Sequence, residues 1–418
     1  MKDSISVCFR DFHKNPLTFA TVGFSFPDAD ATLRRLCFDK LEEKYGKNPP
    51  KRICERLEYE LCCLSRSEYW SHAPYFLLVA TLVGHYVSLG GLHSLRGCGG
   101  NSFVAYLLGI TEVNPLLPHK HCPVCGYTEF VQTAEYISGF DLFDSERDRE
   151  QCPHCGAELT GDGHSLDSCF LMGDDGGLFP FFDINVSEEL FLPMYDYLAT
   201  LGTIREGLTK AEANTSLYWI AIYGMHWLSA LRKLEERTGV PLRDIQIDEI
   251  LFSAVVENSE LLPYISKRAY TILRQIHPSS FSELVKVFGL AYGTGAWENN
   301  AETLIGTTCS LQDVIANRDD ILDTLLRYGV KYRTAQKMSH ATRKGRARAA
   351  LTPEMIMLLQ EQGVPEWYLS SMRKIEYLGA RAHAVEGCIQ ILRLAWYQVH
   401  YPREFTDVIF VEDWGNIM

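Results

Sequence analysis

The sequence lacks two features, a long apolar run and an excess of basic residues. Its most apolar stretch, Tyr75–Gly91, contains Gly84, His85 and Ser88 and falls short of the roughly 20 apolar residues that cross a bilayer. We therefore expect a buried helix there and no contact with a membrane. The 40 Lys and Arg residues are outnumbered by 53 Asp and Glu residues, which gives a formal net charge of −13. This balance excludes a generally basic coat for nucleic acid but allows a local basic groove.

The N-terminal residues also lack the pattern of a secretory leader. They read MKDSISVCFRDF, which mixes charged and apolar residues instead of placing an apolar core after a basic start. We therefore expect a cytoplasmic protein. In that reducing compartment the 13 cysteines would form metal sites more often than disulfides.

The composition is that of an ordinary globular protein. The chain has 418 residues, of which 46% are apolar and 22% are charged. That length is sufficient for two or three domains with a sizeable core.

Local patterns predict one strand and two helices near the beginning. The strand is expected at Thr18–Phe26. Apolar residues at helical spacing then start after Asp30, and the glycine and prolines of 44–50 end that helix. A second apolar stripe follows, made of Ile53, Leu57, Leu61 and Leu64. We interpret both helices as parts of the core.

A glycine-rich turn precedes an apolar helical segment at Ser94–Leu107, which reads SLRGCGGNSFVAYL. Glycines allow backbone N–H groups to approach a phosphate closely, and Arg96 could add a bidentate charge. The pattern also fits a plain turn, because three glycines before a helix are common.

Two Cys-x-x-Cys pairs lie in His121–Gly126, which reads HCPVCG, and in Gln151–Gly156, which reads QCPHCG. Four thiolates complete a closed tetrahedral site of the structural kind. We predict zinc at the ligands Cys122, Cys125, Cys152 and Cys155. Because four cysteines suffice, the neighbouring His121, His154 and His164 are expected to be surface or hydrogen-bonding residues.

Longer motifs follow one another along the chain. They are RGCGGNSFVAYLLGITEVNPLLPH, then CPVCG, SGFDLFD, CPHCG and DGH, and later FSELVKVFGLAYGTGAWENNAETLI, ATRKGRAR and VPEWYLSSMRKIEYLGARAHA. In this order they resemble the PolC type of DNA polymerase III alpha subunit. The likeness spans about 30 to 402 and covers the palm and fingers core of that family only. It implies an α+β fold, with a polymerase palm of the nucleotidyltransferase kind, a zinc-knuckle insertion and a helical fingers domain.

The resemblance also implies domain boundaries. We expect an N-terminal lead-in at 1–30, a first palm part at 31–120, the zinc-binding insertion at 121–169 and a shortened second palm part at 170–239. The fingers are expected at 240–405, with a last helix at Val385–His400, and a C-terminal tail at 406–418.

The metal site departs from the family pattern. Family members carry Asp-Ile-Asp-Leu-Asn-Phe-Ser-Gly-Glu on the catalytic strand, and the resemblance implies that its two aspartates hold Mg²⁺ ions. In this sequence Asp183 matches the second aspartate and Phe181 matches the first. The third family aspartate lies in a strand whose best counterpart is Ile220–Gly224, where Ala221 takes its place. We expect that Asp183 alone is insufficient for catalysis and that Mg²⁺ matters only if catalysis survives.

Other acidic residues could replace the missing ligands. Asp174 and Asp175 lie in a glycine-bearing turn, and Glu188 and Glu189 follow the strand. On a strand, Glu188 and Asp183 would point to opposite faces because their positions differ by an odd number.

Several positions match family motifs that the resemblance connects with phosphate, nucleotide or DNA. The predicted phosphate- and nucleotide-binding residues are Arg96, Gly97, Gly100, Ser102, Lys374 and His383. The predicted DNA-binding residues are Arg318, Arg343, Lys344, Arg346 and Arg348, of which the last four form the densest basic run. A solvated loop face is the alternative interpretation of that run.

Three functional hypotheses follow. The first is a catalytically defective PolC homologue that binds DNA primer–template, a nucleotide or a replication protein in a regulatory or inhibitory role. The second is a minimal DNA polymerase that uses Asp183 with acids outside the family pattern. The third is a structural, zinc-containing interaction protein whose polymerase surfaces have no function.

Overall fold

The computed structural model describes most of the chain. The described residues are 17–65, 71–131, 137–143, 150–173, 178, 180–205, 217–245, 247, 249–259, 262 and 265–411. They form a mixture of helices and small sheets, as expected for an α+β protein. The chain divides into two compact units. The first unit contains Met1–Ile247 and Trp396–Met418, and the second contains Asp248–Ala395.

The first unit contains all of the described strands. They are β1 (Leu17–Gly23), β2 (His93–Arg96), β3 (His119–His121), β4 (Thr128–Phe130), β5 (Thr160–Asp162), β6 (Phe182–Ser187), β7 (Thr203–Arg205) and β8 (Leu217–Met225). Its helices before the second unit are α1 (Ala29–Tyr45), α2 (Lys51–Leu64), α3 (Ala73–Ser88), α4 (Phe103–Leu107), α5 (Cys169–Met172), α6 (Phe191–Leu201) and α7 (His226–Thr238).

Five of these strands form one mixed sheet in the order β2-β6-β8-β1-β7. The central pair, β6 and β8, is parallel, and the other neighbouring strands are antiparallel. The remaining strands form a smaller sheet in the order β4-β3-β5. Parallel neighbours need a crossover connection, which α6 and β7 begin here.

Helix α3 packs against one face of the five-stranded sheet. The ring of Tyr75 stacks on Phe182 with 5.5 Å between the ring centroids. Its hydroxyl donates to the carbonyl oxygen of Trp219 on β8 (2.7 Å) and accepts from the N–H of Phe182 on β6 (2.9 Å). Tyr75 therefore joins the two central strands, and the segment predicted as a buried helix is confirmed as one.

The predicted early elements are confirmed. Strand β1 overlaps the predicted strand but begins one residue earlier and ends three residues earlier. Helix α1 ends at Tyr45 before Gly46, whose φ of 72° suits a glycine. Helix α2 buries Ile53, Leu57 and Leu61 as the apolar stripe requires.

The described residues of the second unit form helices joined by turns, with two isolated bridges and no longer strand. Its helices are α8 (Glu249–Glu257), α9 (Lys267–Ile276), α10 (Phe281–Tyr292), α11 (Glu302–Leu304), α12 (Arg318–Arg327), α13 (Tyr332–Arg343), α14 (Ala347–Ala350), α15 (Pro353–Glu361), α16 (Glu366–Lys374) and most of α17 (Arg381–His400). Helix α10 lies in the core, with Phe281, Leu284, Val285 and Phe288 fully buried.

The described residues after α17 are also helical. The short helix α18 (Pro402–Thr406) follows α17, and a π-helical turn covers Asp407–Val411. Pro402 ends one helix and starts another, because proline is well tolerated in the first turn. Within the described part of the chain, no helix is long and apolar enough to cross a membrane.

Candidate active-site face and metal centre

Strand register places Asp183 between Arg96 and Ala221. Asp183 pairs with Arg96 across β2 and β6, and with Ala221 across β6 and β8. Residues that pair directly on neighbouring strands direct their side chains to the same face. The strand alternation adds Asn185 and Tyr223 to this face, which we call the Asp183 face.

The Asp183 face carries a cation beside the carboxylate. The guanidinium carbon of Arg96 lies 4.5 Å from the centroid of the Tyr223 ring, which is a cation–π distance. Burial raises the pKa of Tyr223, and the negative charge of Asp183 raises it further. Arg96 acts in the opposite direction on the same pKa. The three side chains therefore interact, and the carboxylate of Asp183 lies in the field of a fixed positive charge.

The acidic residues after β6 have other partners. Strand β6 ends at Ser187, and Glu188 starts a short 3-10 turn instead of continuing the strand. The carboxylate of Glu188 contacts Nδ1 of His226. Glu189 accepts from the Ser229 hydroxyl (2.5 Å) and from Arg232 (2.8 Å). Asp174 and Asp175 lie outside the described residues.

The predicted phosphate loop connects β2 to α4. Gly97 has a φ of 71°, which a residue with a side chain would adopt only with strain. Gly100 is buried, and Ser102 caps α4 by accepting from the N–H of Ala105 (3.1 Å). Arg96 is half-buried at the start of this loop.

A buried glutamate already occupies the beginning of α4. The carboxylate of Glu60, which is fully buried, accepts from the Ser102 hydroxyl (2.8 Å) and from the N–H groups of Phe103 (3.0 Å) and Val104 (3.1 Å). Arg56 donates to the same carboxylate at 2.6 Å. A phosphate at these donors would have to displace Glu60, so Arg96 and Gly97 are the better-placed members of the predicted loop.

The sequence-based interpretation missed Glu60, although a signal existed. Glu60 lies three residues after Leu57 and four before Leu64, on the buried stripe of α2. A charged residue on an apolar stripe needs a partner inside the protein. The pattern alone did not indicate which partner.

The four predicted zinc ligands come together. The sulfur atoms of Cys122, Cys125, Cys152 and Cys155 all lie within 4.8 Å of one another. Two of the sulfur pairs, Cys122 with Cys155 and Cys125 with Cys152, are 3.5 Å apart. Zinc–sulfur bonds of about 2.3 Å in a tetrahedron require sulfur separations of roughly 3.8 Å. The donor set and its spacing therefore fit zinc.

Both cysteine pairs use the same backbone turn. The N–H of Gly126 donates to the carbonyl oxygen of Cys122 (3.0 Å), and Gly156 donates to Cys152 in the same way (2.9 Å). Both glycines have positive φ angles, 77° and 75°. Each turn thus directs two thiol groups to one point.

The nearby histidines have other contacts. His164 is buried beside the Ser138 hydroxyl (3.0 Å), and His121 contacts the Thr128 hydroxyl (3.0 Å). The exposed His154 packs edge-on against the Tyr127 ring. Among the described residues, the four cysteines are the one group of three or more His, Cys, Asp or Glu side chains that could hold a metal ion.

In the second unit, Arg318 belongs to a buried ionic network. Its side chain is 4% exposed and lies 3.7 Å from the carboxylate of Asp319. Next to it, Asp320 contacts Arg381 (2.9 Å) and Lys286 (3.1 Å). Burial acts to raise the pKa of Asp320, but the two cations outweigh it and lower this pKa to about 2. A buried, paired Arg318 is poorly placed to contact a DNA phosphate.

The other predicted contact residues are more accessible. Lys344, Arg346, Arg348 and Lys374 are exposed, while Arg343 and His383 are half-buried. The basic run connects α13 to α14 through Gly345, whose φ is 67°.

Comparison with known proteins connects these features. A family model described as the bacterial DNA polymerase III alpha NTPase domain matches residues 31–199. The PolC-type DNA polymerase III of Thermotoga petrophila is 30% identical over 92% of this chain. The chain is PolC-like.

Two more relatives agree. The PolC-type enzymes of Caldanaerobacter subterraneus subsp. tengcongensis and Listeria welshimeri are 30% and 29% identical, each over 91% of this chain. The match covers 34% of the Caldanaerobacter protein, 33% of the Listeria protein and 35% of the Thermotoga protein. The PolC-like chain therefore spans about a third of the length of the curated relatives it matches.

The matched region of the PolC-like chain contains the four cysteines and part of the Asp183 face, whose Ala221 and Tyr223 lie beyond it. Residues 31–199 include the glycine loop, the four cysteines and Asp183. The similarity to these relatives also includes the helical second unit, because it covers about nine tenths of this chain.

Proposed function

We propose that this PolC-like chain does not transfer nucleotides and instead binds nucleic acid, with a regulatory or inhibitory role in replication. In this proposal residues 31–120 and 170–239 form a palm, 121–169 a zinc-bearing insertion and 240–405 the fingers. The compact second unit, Asp248–Ala395, lies within the proposed fingers.

The observation that carries the proposal is the pairing of Asp183 with Ala221. Two-metal nucleotidyl transfer needs several carboxylate oxygens around both ions. The residue beside Asp183 on β8 offers a methyl group, and the residue beside it on β2 is the cation Arg96. These neighbours do not fit a Mg²⁺ pair. Glu188 and Glu189 already have basic partners, which weakens their use as replacement ligands.

We further propose a structural zinc ion at the four cysteines. Such an ion would hold the two turns together and leaves no open coordination position for chemistry. The ligands would be Cys122, Cys125, Cys152 and Cys155, whose sulfur spacing supports this role.

The proposed nucleic-acid contacts are the residues of the basic run. Lys344, Arg346 and Arg348 present three exposed cations in a chain that is acidic as a whole. Cations of this kind neutralise phosphates and release counterions, so binding should weaken as salt rises.

The test combines binding and extension in the same samples. Purified protein loaded with zinc is titrated onto a labelled primer–template across a salt series, with Mg²⁺ or Mn²⁺ and nucleotides present. One variant changes Arg343, Lys344, Arg346 and Arg348 to Gln. A matched control changes the exposed residues Arg35, Lys40, Lys47 and Lys51 of the first unit to Gln, which alters the net charge equally.

We expect salt-sensitive binding without extension, and weaker binding for the first variant only. Extension that disappears in Asp183→Ala would overturn the proposal and establish a minimal polymerase. If neither the basic variant nor the control variant changes the binding, a protein-interaction role is favoured instead.

A further inference from the structure

The basic run lies against a turn that follows α16. The N–H of Leu378 donates to the carbonyl oxygen of Arg343 (3.3 Å), and Nε of Arg348 donates to the carbonyl oxygen of Arg373 (3.1 Å). At Gly345 a Cβ atom would lie 2.8 Å from the carbonyl oxygen of Glu376. The two segments, 343–348 and 374–377, therefore form one continuous surface, which we call the basic turn surface.

Four exposed cations belong to the basic turn surface. Three are Lys344, Arg346 and Arg348, and the fourth is Lys374, whose ammonium group donates to the carbonyl oxygen of Asn299 at 2.6 Å. Two of them, Lys344 and Arg346, act on the same imidazole, that of His340. The pKa of His340 is lowered first by burial and then by Lys344 and other cations of the run.

An exposed tyrosine, Tyr377, lies in the second segment of this surface, three residues after Lys374. Tyr377 is 47% exposed. Its backbone is fixed, because Tyr377 exchanges two hydrogen bonds with Thr294, at 2.9 and 3.2 Å. The ring is thus held at the surface by main-chain pairing. An aromatic face beside phosphate-binding cations is the arrangement on which unpaired bases stack.

We propose that the basic turn surface binds single-stranded nucleic acid and that an unpaired base stacks on Tyr377. Duplex bases cannot reach the ring, since they are stacked inside the helix. The cations would contact phosphates of the same strand. This inference rests on the proposed function and adds to it the kind of strand that is bound.

The experiment measures fluorescence anisotropy with the full chain and three probes, an oligothymidine and an oligouridine of about 20 nucleotides and a duplex of equal length. The variants are Tyr377→Ala, Tyr377→Phe and the four-residue basic variant. Tyr328→Ala serves as the matched control, because Tyr328 is another partly exposed tyrosine of the second unit and packs beside Gly363. Circular dichroism checks that each variant is folded.

We expect Tyr377→Ala to weaken single-strand binding about tenfold, since one stacked base is lost. Duplex binding should stay unchanged, and the salt dependence should keep its slope because no phosphate contact is removed. Tyr377→Phe should retain the affinity, since the ring remains. A loss on only one of the two single strands would support the inference and identify which of the two strands is preferred.

Two results separate the inference from the proposed function. If Tyr377→Ala leaves single-strand binding unchanged, or weakens duplex binding equally, while the basic variant still loses affinity, the stacking site is wrong and the proposed function stands. If the basic variant binds every probe as the wild type does, the proposed function and the inference both fail.

Discussion

Asp183 and Ala221 are direct neighbours on the parallel strands β6 and β8, and the two strands stay in register from Phe182 to Ser187. Neighbouring strands lie about 4.8 Å apart, a spacing at which two carboxylates could share a metal ion. Here one of the two positions carries only a methyl group. The sheet thus retains the geometry for a shared ion without the second ligand.

Adding carboxylates to this face should create affinity for a divalent ion. Phe181 precedes β6 and lies two residues before Asp183, so the variant Phe181→Asp with Ala221→Asp would offer three carboxylates. We expect it to bind Mn²⁺ at least about tenfold more tightly than the wild type, measured by calorimetry. Adding Asp183→Asn to the same variant should remove the gain. Equally tight Mn²⁺ binding by the wild type would mean that the native face already binds an ion, and equally weak binding by both would contradict the prediction.

Loss of the Glu60 charge should destabilise the first unit. In Glu60→Gln the partner Arg56 loses its carboxylate, and two N–H groups at the start of α4 lose a charged acceptor. We expect a loss of about 3 kcal/mol in the free energy of unfolding, measured in urea. The control Glu58→Gln removes an exposed pair with Arg34 and should cost less than about 1 kcal/mol. A similar small loss for both would show that the buried contacts contribute little.

Removal of a zinc ligand should unfold the insertion locally. Cys152→Ser should reduce bound zinc from about one equivalent to almost none, measured by mass spectrometry of the metal. Hydrogen exchange at β3 and β5 should increase, because these strands adjoin the cysteine turns. The control Cys62→Ser changes an exposed cysteine outside the cluster. Unchanged zinc content in Cys152→Ser would contradict the assignment.

The second unit should lose stability in acid. The pKa of Asp320 is about 2 in the folded chain, below its usual value, so its contribution is present above about pH 4 and disappears as the pH falls toward 2. The contribution is of the order of 2 kcal/mol. Hydrogen exchange of the α12 amides between these pH values measures it. Asp320→Asn should be less stable at neutral pH and should lack this acid dependence, whereas Asp313→Asn, at an exposed position, should retain it.

The sequence predicted elements whose signals are local. Apolar spacing and the following glycine and prolines marked α1, and the cysteine turns carry their own geometry. Ile220–Gly224 was matched to a strand of the family, and these residues lie in β8, directly before α7. In each case the residues that determine the structure lie within about ten positions of one another.

Other features depend on partners that are distant in the chain. Ser102 and Glu60 are 42 residues apart, so the predicted phosphate loop gave no sign that a carboxylate already binds its donors. Arg318 was predicted to contact DNA from its motif position, but its side chain is buried beside Asp319. Motif matching identifies such residues without revealing whether they face solvent.

The first unit is built from two separate segments of the chain, and this has a consequence for biosynthesis. This unit combines Met1–Ile247 with Trp396–Met418, and the hydroxyl of Tyr397 donates to the carbonyl oxygen of Val240 at 2.7 Å. A ribosome makes the whole second unit before it makes this closing segment. The helical unit can therefore complete its core during translation, while the sheet-containing unit must wait for residues that are translated almost 150 positions later.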